Sequence, residues 1–289
     1  MGADNLRGAG LMVLAMLGFA IEDAFIKGLA GALPVGQIIG MLGIGGAAIL
    51  AVLMAVQGVP FWHAGLARGA VLLRNLGELI GTLGFVTAIA LIPLSTASAI
   101  LQVTPLLVTL AAALLFGEQV GWRRWSAILV GFCGVLLIIR PGFEGFDWLS
   151  LFAVQGAFGL ALRDLMTRRV PPEASSMQLS LLAFLTLIPA AGLLMWGAGT
   201  APVMPQGAEW ALMGGAVCIG VLCYYFIVLA MRVGEISFVT PFRYSRILFA
   251  LVIGIVIFGE RPDALTLVGC AIVVGSGLYM LWRERVVKG

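Results

Sequence analysis

Apolar stretches of about twenty residues recur along the whole chain, separated by short turns or charged residues. Each stretch is long enough for a helix to cross a bilayer, and a helix satisfies its own backbone hydrogen bonds in lipid. The composition agrees, because 61% of the residues are hydrophobic, 11% are charged and the mean hydropathy is +1.10. A soluble domain is nearer half apolar and a quarter charged. The predicted spans are 8–29, 35–57, 67–90, 94–116, 122–140, 148–169, 176–198, 208–231, 235–258 and 264–283.

Basic residues are distributed unevenly between the two sides of these spans. If the N-terminus is cytoplasmic, only Arg140 and Arg261 lie at the opposite face. The positive-inside rule therefore predicts that both termini are cytoplasmic, in a multi-pass protein of the bacterial inner (plasma) membrane. The basic residues that this topology places on the cytoplasmic side are Arg7, Arg68, Arg123, Arg124, Arg168, Arg169, Arg232, Arg283, Arg285 and Lys288.

The two halves of the chain match each other at a nearly constant offset. The first span reads GFAIEDAFIK around Asp23, and the sixth reads GLALRDLMTR around Asp164. The string Phe-Gly-Glu closes the fourth span at Glu118 and the ninth span at Glu260. Each half has five spans, an odd number, so the second half must be inverted relative to the first. We therefore predict an all-α integral membrane protein with ten transmembrane helices, arranged as two inverted five-helix repeats over residues 8–140 and 148–283.

The chain resembles the drug/metabolite transporter superfamily, specifically the ten-helix group built from two EamA repeats. The resemblance covers essentially the whole chain and rests on the five-plus-five helices, on Lys27 closing the first span, and on the block ALIPLSTASAILQVTPLLVTLAAALLFGE. The second copy of this block ends in FGERPDALTLVGCAIVVGSG. The family implies a secondary carrier for small metabolites, with a central cavity lined mainly by the first, third, fourth, sixth, eighth and ninth spans.

The second repeat departs from the first in the position of its proline. Pro105 has Ile247 at the corresponding place of the second repeat, and the proline there comes earlier, at Pro241. The string that begins at Pro241, Pro-Phe-Arg-Tyr, resembles the strings found at this place in the subgroup that contains the riboflavin and S-adenosylmethionine carriers. We also expect Pro105, Pro189 and Pro241 to free backbone carbonyls within their helices and to permit bending.

Two arginines lie inside the ninth span, where a charged side chain costs at least ~2.5 kcal/mol. Arg243 and Arg246 are three residues apart, so they share a helix face that should look into a protein or water-filled interior. A guanidinium group presents a planar fork to a carboxylate or phosphate, and we expect one or both to bind such a group of the substrate. Tyr244 lies between them and faces either the site or a neighbouring helix. The alternative is that the arginines pair with protein carboxylates, for which the candidates are Glu22, Asp23, Glu78 and Asp164.

Charged residues also lie within the first and third spans. Asp23 and Lys27 are spaced i, i+4 and can pair along one helix face, with Glu22 about 100° around the helix. Arg74 and Glu78 repeat this spacing in the third span, where an internal ion pair and a substrate contact remain open. A proton-coupled carrier needs a buried carboxylate, for which the candidates are Glu22, Asp23 and Glu78. A static charge network is the alternative.

Other polar side chains within apolar spans complete the predicted substrate site. In the sixth span Arg163 and Asp164 are adjacent, so we expect them to diverge rather than pair, and Asp164 to face Asp23 across the repeat interface. A tyrosine at this depth can stack on a flat ligand or bond its polar part, and helix–helix hydrogen bonding is the alternative. The remaining candidates of this kind are Gln102, Tyr224 and Tyr225.

These features predict a secondary transporter that moves a small anionic, zwitterionic or vitamin/nucleoside-like metabolite by alternating access. An exporter of amino acids or related metabolites with the same fold is the open alternative. A membrane-embedded enzyme is disfavoured because the single histidine, His63, lies in a predicted loop and no acidic motif has metal-ligand spacing. We expect no cofactor, no metal and no nucleic-acid partner. The expected partners are a small-molecule substrate, the lipid bilayer and, as candidate coupling ion, protons, with the chain working as a monomer or weak homodimer.

Overall fold

The computed structural model describes residues 3–62, 64–117, 121–142, 146–171, 173–233 and 236–288. These ranges are helical, with short turns and loops between the helices, and contain no β-strand. His63 and Glu118, predicted in a loop and at a span end, lie outside them. The helices are α1 (Ala3–Leu29), α2 (Val35–Val56), α3 (Gly69–Leu91), α4 (Leu94–Leu101), α5 (Thr104–Phe116), α6 (Trp122–Ile139), α7 (Ser150–Thr167), α8 (Ser176–Gly197), α9 (Ala208–Val233), α10 (Ile236–Val239), α11 (Ser245–Phe258) and α12 (Ala264–Lys288), with 3-10 turns at Ala64–Ala67 and Thr240–Tyr244.

The fourth predicted span is interrupted next to Pro105, where the sequence predicted that the helix could bend. It consists of α4 and α5, which are separated just before Pro105. The ring nitrogen of Pro105 has no hydrogen to donate to the carbonyl four residues earlier. That carbonyl, of Leu101, instead accepts a hydrogen bond of 2.6 Å from the Thr104 hydroxyl. The break is therefore stabilised locally by the residue that begins α5.

The ninth predicted span is also interrupted. It consists of α10, the 3-10 turn Thr240–Tyr244 with Pro241 in its first turn, and α11. Arg243 lies in the turn and Arg246 in α11, so the two arginines sit on either side of a change in backbone geometry. Pro189 differs from the other two prolines, because α8 continues through it.

Nine helical segments of the described chain are long and apolar enough to cross a membrane, and α7 is not among them. The sixth predicted span corresponds to this helix, which carries Arg163 and Asp164. Its polarity is explained by its neighbours, because α7 packs against α3, α4 and α5. A polar helix in a bilayer is stable when its charged side chains face other helices.

Four pairs of long helices form the bundle: α3 packs along α7, α1 along α9, α2 along α8 and α6 along α12. The approach of α3 to α7 is close enough to exclude side chains. A Cβ atom added to Gly77 would lie 2.5 Å from the backbone nitrogen of Arg163, and one added to Gly81 would meet the Leu160 side chain at 2.7 Å. Small residues at this spacing let two helices approach closely, and the approach brings Glu78 of α3 beside Arg163 of α7.

Candidate substrate cavity

A cavity of about 540 Å³ lies in the centre of the bundle, next to the breaks before Pro105 and after Pro241. It reaches the end of the bundle where α7 stops at Thr167 and α8 begins at Ser176, since both residues line it. At the other end it extends only as far as Ile26 of α1 and Val86 of α3. Ten of the twelve predicted site residues line the cavity: Glu22, Asp23, Arg74, Glu78, Gln102, Asp164, Tyr224, Arg243, Tyr244 and Arg246.

Arg246 is bound to Asp23 across the α1–α11 interface. Its Nη2 donates to both carboxylate oxygens of Asp23 at 2.9 and 2.7 Å, and its Nε donates to Oδ2 at 3.2 Å. Asp23 is buried, and the guanidinium lies between the rings of Phe19 and Phe85, 5.2 and 5.1 Å from their centroids. Arg246 is therefore paired with a protein carboxylate, which was the alternative to substrate binding. A substrate would have to compete with Asp23 for this guanidinium.

Arg74 of α3 is buried and makes polar contacts with four other residues. Its Nη1 donates to the Asn75 side chain at 2.9 Å and to the Leu179 carbonyl at 3.1 Å, and its Nη2 donates to the Tyr224 hydroxyl at 3.3 Å. Arg74 also lies 3.7 Å from Glu78, as the i, i+4 spacing predicted. The network joins α3 to α8 and α9, so it fixes one wall of the cavity.

Arg163 joins two carboxylates on opposite sides of the α3–α7 contact. It donates to Glu78 at 3.3 Å and to its neighbour Asp164 at 2.8 Å. The prediction that Arg163 and Asp164 diverge is therefore wrong. Their Cβ atoms point about 100° apart, but the long arginine side chain reaches around the helix to the adjacent carboxylate.

Arg243 is the most loosely bound of the four cavity arginines. Its guanidinium lies 3.8 Å from Asp164, and its side chain is 32% exposed, against 2% for Arg74 and 16% for Arg246. Gln102 donates a long hydrogen bond of 3.4 Å to the backbone carbonyl of Arg243, not to its side chain. A guanidinium that is open to the cavity and weakly paired is suited to bind an anionic group of a ligand.

Glu22 has neither a hydrogen bond nor an ion pair among the residues that the structure describes. Its carboxylate lines the cavity and lies against the backbone of α9 at Gly220, where an added Cβ atom would lie 2.5 Å from Oε1. The neighbouring Asp23 faces Arg246 instead, in agreement with the predicted divergence of the two acids.

The tyrosines fall in three different environments. Tyr224 accepts the hydrogen bond from Arg74 in the cavity wall. Tyr244 is buried and its hydroxyl lies against Gly277 of α12, so it faces a neighbouring helix as well as the cavity. Tyr225 is 61% exposed and lies outside the cavity, which corrects its inclusion in the predicted site. Adjacent residues on a helix point about 100° apart, and of these two only Tyr224 lines the cavity.

Beyond Ile26 and Val86, a cluster formed by Lys27, Glu260 and the start of α4 closes the bundle. The Lys27 ammonium donates to the carbonyl of Ile92 at 2.7 Å and lies 3.7 Å from Glu260. Glu260 accepts hydrogen bonds from the backbone nitrogens of Leu94 and Ser95, at 2.5 and 3.0 Å, and from the Ser95 hydroxyl at 2.6 Å. Lys27 is therefore outside the cavity and is not paired with Asp23, because Arg246 occupies that carboxylate.

Two features of the site were not apparent from the sequence. The aromatic rings around Arg246 come from Phe19 on α1 and Phe85 on α3, and no local pattern distinguishes them from other apolar residues. The sequence singled out Glu260, through the repeated Phe-Gly-Glu string, and Lys27, but it did not indicate that they meet each other or that Glu260 binds Ser95.

The sequence profile of the EamA-like transporter family matches residues 6–140 and again residues 147–282. A riboflavin transporter of Vibrio cholerae is 31% identical over 230 residues, which are 78% of this chain and 72% of that protein. An S-adenosylmethionine uptake transporter of Rickettsia felis is 25% identical over 226 residues, 78% of this chain and 73% of that protein. The pseudopaline exporter CntI of Pseudomonas aeruginosa is 28% identical over 287 residues, 96% of each chain.

A solved crystal structure that is 19% identical superimposes with a TM-score of 0.64, over 98% of this chain and 99% of its own, and so shares the fold. The predicted likeness to riboflavin and S-adenosylmethionine carriers is confirmed by the named relatives. With both halves matched by the same profile, the chain is a multi-pass membrane protein that transports small metabolites, and it belongs to the EamA-like transporter family.

Proposed function

We propose that the chain is a secondary carrier of the bacterial inner membrane that works by alternating access between two inverted five-helix repeats, residues 8–140 and 148–283. The helix pairing supports this division. If the two halves are equivalent, α3 corresponds to α9 and α7 corresponds to α1. The α3–α7 pair then corresponds to the α9–α1 pair, and both pairs are extensively packed. Gln102 and Arg243, which are 141 positions apart, also meet at the centre of the molecule, which is expected of equivalent residues that lie close to a two-fold axis.

The direction in which the cavity opens follows from the proposed topology. With both termini in the cytoplasm, Thr167 and Ser176 lie at the cytoplasmic end of the cavity, and the Lys27–Glu260 cluster lies at the external end. The structure then corresponds to a carrier closed to the outside. Transport requires that this cluster separate while the cytoplasmic end closes.

The proposed substrate is a small metabolite with a carboxylate or phosphate group. The state of Arg243 supports this proposal: its side chain is open to the cavity, and among the described residues its one carboxylate partner, Asp164, is 3.8 Å away. A volume of about 540 Å³ lies within the usual range of small-molecule sites. Around Arg243 the proposed site includes Asp164, Gln102 and Tyr224, with Arg74 and Glu78 as the wall that positions them.

Two directions of transport have specific support. Uptake of a vitamin or nucleoside-like compound is supported by the relatives named as riboflavin and S-adenosylmethionine uptake transporters. Export of an amino-acid-derived metabolite is supported by the pseudopaline exporter, which aligns over almost the whole chain. Uptake predicts that the gene meets a growth requirement in a strain that lacks the corresponding importer, whereas export predicts tolerance to an excess of the compound.

The substrate class is tested by thermal unfolding of the purified protein with a panel of compounds. The panel contains riboflavin, S-adenosylmethionine, amino acids, dicarboxylates and the monoanionic vitamins nicotinate and pantothenate. A compound present at a hundred times its dissociation constant stabilises the folded state by ~2.7 kcal/mol if it binds only that state. We expect an anionic or zwitterionic compound to raise the unfolding temperature. Failure of every compound with an acidic group, with stabilisation by an uncharged compound alone, would contradict the proposal.

A further inference from the structure

Glu22 differs from the other three carboxylates of the cavity in having no cation bound to it. Asp23 is held by Arg246, Glu78 by Arg74 and Arg163, and Asp164 by Arg163 and Arg243. No hydrogen bond or ion pair reaches Glu22 from any residue that the structure describes. Glu22 is half-buried in the cavity wall, and a carboxylate in such a position is stabilised by a cation, by cavity water or by taking up a proton.

In the described part of the chain, each cavity arginine already has another carboxylate as its partner. The closest charged groups are Asp23 on the same helix and Arg246 on α11, which is already committed to Asp23. From α9 it faces Gly220, with Cys223 and Tyr224 nearby. The other titratable groups that share its cavity are Arg74 and Glu78 on α3, Arg163 and Asp164 on α7, and Arg243 and Tyr244 in the 3-10 turn.

The charges that line the cavity balance only if Glu22 is ionised. Four arginines and four carboxylates line it, so their formal charges cancel. A proton on Glu22 leaves one positive charge in excess, and an acidic group of a ligand at Arg243 would restore the balance. Proton and anion therefore favour each other's binding, and such a coupling is reciprocal by thermodynamic necessity.

The geometry points to Glu22 as the proton-binding site of the carrier, with one proton bound for each acidic group held at Arg243. The inference rests on the proposed function and specifies it as co-transport of an organic anion with a proton. Gly220 contributes by leaving room for the carboxylate, since any side chain at that position would overlap it.

The protonation of Glu22 is tested without any substrate by labelling with dicyclohexylcarbodiimide, which reacts with protonated carboxyl groups in apolar surroundings. Peptide mass spectrometry of the full-length protein, labelled between pH 6 and 9, should find the adduct on Glu22 in preference to Asp23, Glu78 and Asp164, and less of it as the pH rises. Glu22→Gln should remove this adduct, whereas Glu173→Gln, which changes an exposed glutamate before α8, should leave it unchanged. Labelling of Asp23 or Asp164 with Glu22 unmodified would overturn the inference.

The coupling is tested with nicotinate and pantothenate, which are monoanions throughout this pH range. For each of the two that stabilises the protein, the apparent dissociation constant of the wild type should rise with pH, by up to tenfold per pH unit when one proton is linked. In Glu22→Gln the dissociation constant should not depend on pH. Binding of either anion with the same dissociation constant at pH 6 and pH 9 would overturn the inference but leave the proposed function standing. If neither anion binds, the labelling result alone decides on Glu22, and the proposed substrate class is decided by the other acidic compounds of the panel.

Discussion

Glu260, just after α11, lies 3.7 Å from Lys27 of α1 and also binds the first two backbone nitrogens of α4. One carboxylate thereby joins three segments from both halves of the chain at one end of the cavity. A carboxylate at a helix N-terminus is further stabilised by the helix dipole. In the proposed topology this end of the cavity is external, and we expect its closure to depend on Glu260.

Glu260→Ala is expected to open the external end of the cavity. Each hydrogen bond to a charged group contributes about 1.5 kcal/mol or more, and each ~1.4 kcal/mol changes an equilibrium tenfold. A cysteine placed at cavity residue Thr82, in a protein without its native cysteines, should then react roughly tenfold faster with a membrane-impermeant maleimide added outside. Asp263→Asn is the matched control, because Asp263 lies at the same end of the bundle but pairs with Arg140 and not with Lys27 or the start of α4. Equal labelling rates with and without Glu260 would mean that the cluster does not hold the cavity closed.

Arg246→Ala is expected to destabilise the protein strongly, because it leaves the buried Asp23 carboxylate without its cation. Breaking one side of a buried pair typically costs about 3–5 kcal/mol. The double change Asp23→Asn with Arg246→Gln removes both charges and should recover part of the loss in unfolding temperature. The measurement is thermal unfolding in detergent of the single and double variants. A double variant that is less stable than Arg246→Ala would contradict the assignment of this pair as structural.

Gly77→Val is expected to separate α3 from α7 and to destabilise the protein, since even a Cβ atom at this position approaches the Arg163 backbone nitrogen to 2.5 Å. Backbone atoms cannot rotate away as a flexible side chain can. Gly192→Ala in α8 is the matched control, because an added Cβ there meets nothing within 4 Å. Unfolding temperatures should fall for the first variant and stay unchanged or rise for the second. Equal stability of both variants would refute the close helix contact.

The ion pair at the start of α12 predicts a pH-dependent contribution to stability. Hydrogen bonds from Arg140 and from the Thr266 backbone and hydroxyl hold the pKa of Asp263 well below its ordinary value of about 4. A lowered folded-state pKa means that the stabilisation is fully present above about pH 4 and is lost as the pH falls through the folded-state pKa. Asp263→Asn should therefore lower the unfolding temperature at pH 7 by a small amount, since Asp263 is half exposed, and progressively less below pH 4. A difference that persists unchanged at pH 3 would contradict this origin.

The sequence predicted the helices well because bilayer thickness sets their length and hydrophobicity reports it directly. It also named Pro105, Pro189 and Pro241 as places where a helix can bend, since proline removes a backbone donor. The helix is interrupted at the first and third of these, whereas α8 continues through Pro189. The sequence was less informative about α7, whose Arg163 and Asp164 lower its hydropathy because they face other helices and not lipid.

The sequence could not predict which buried charges pair with each other, and this pairing determines which charged group is free to bind a ligand. The i, i+4 spacing allowed Lys27 to pair with Asp23, but in the folded protein Asp23 pairs with Arg246 and Lys27 pairs with Glu260. Local spacing restricts which residues can meet on one helix, whereas partners on other helices are chosen by packing. Packing of α9 against its neighbours likewise determines that Tyr224, and not the adjacent Tyr225, lines the cavity.

The proposed binding of the substrate's acidic group by Arg243 is tested most directly by comparing Arg243→Ala with the wild type in the ligand panel. Because Arg243 is partly exposed and its ion pair with Asp164 is long, the substitution should change the unfolding temperature of the ligand-free protein only slightly. The compound that stabilises the wild type should bind the variant at least about tenfold more weakly, as loss of a hydrogen bond to a charged group predicts. Full retention of the ligand-induced stabilisation in Arg243→Ala would contradict the claim and reduce Arg243 to a structural partner of Asp164.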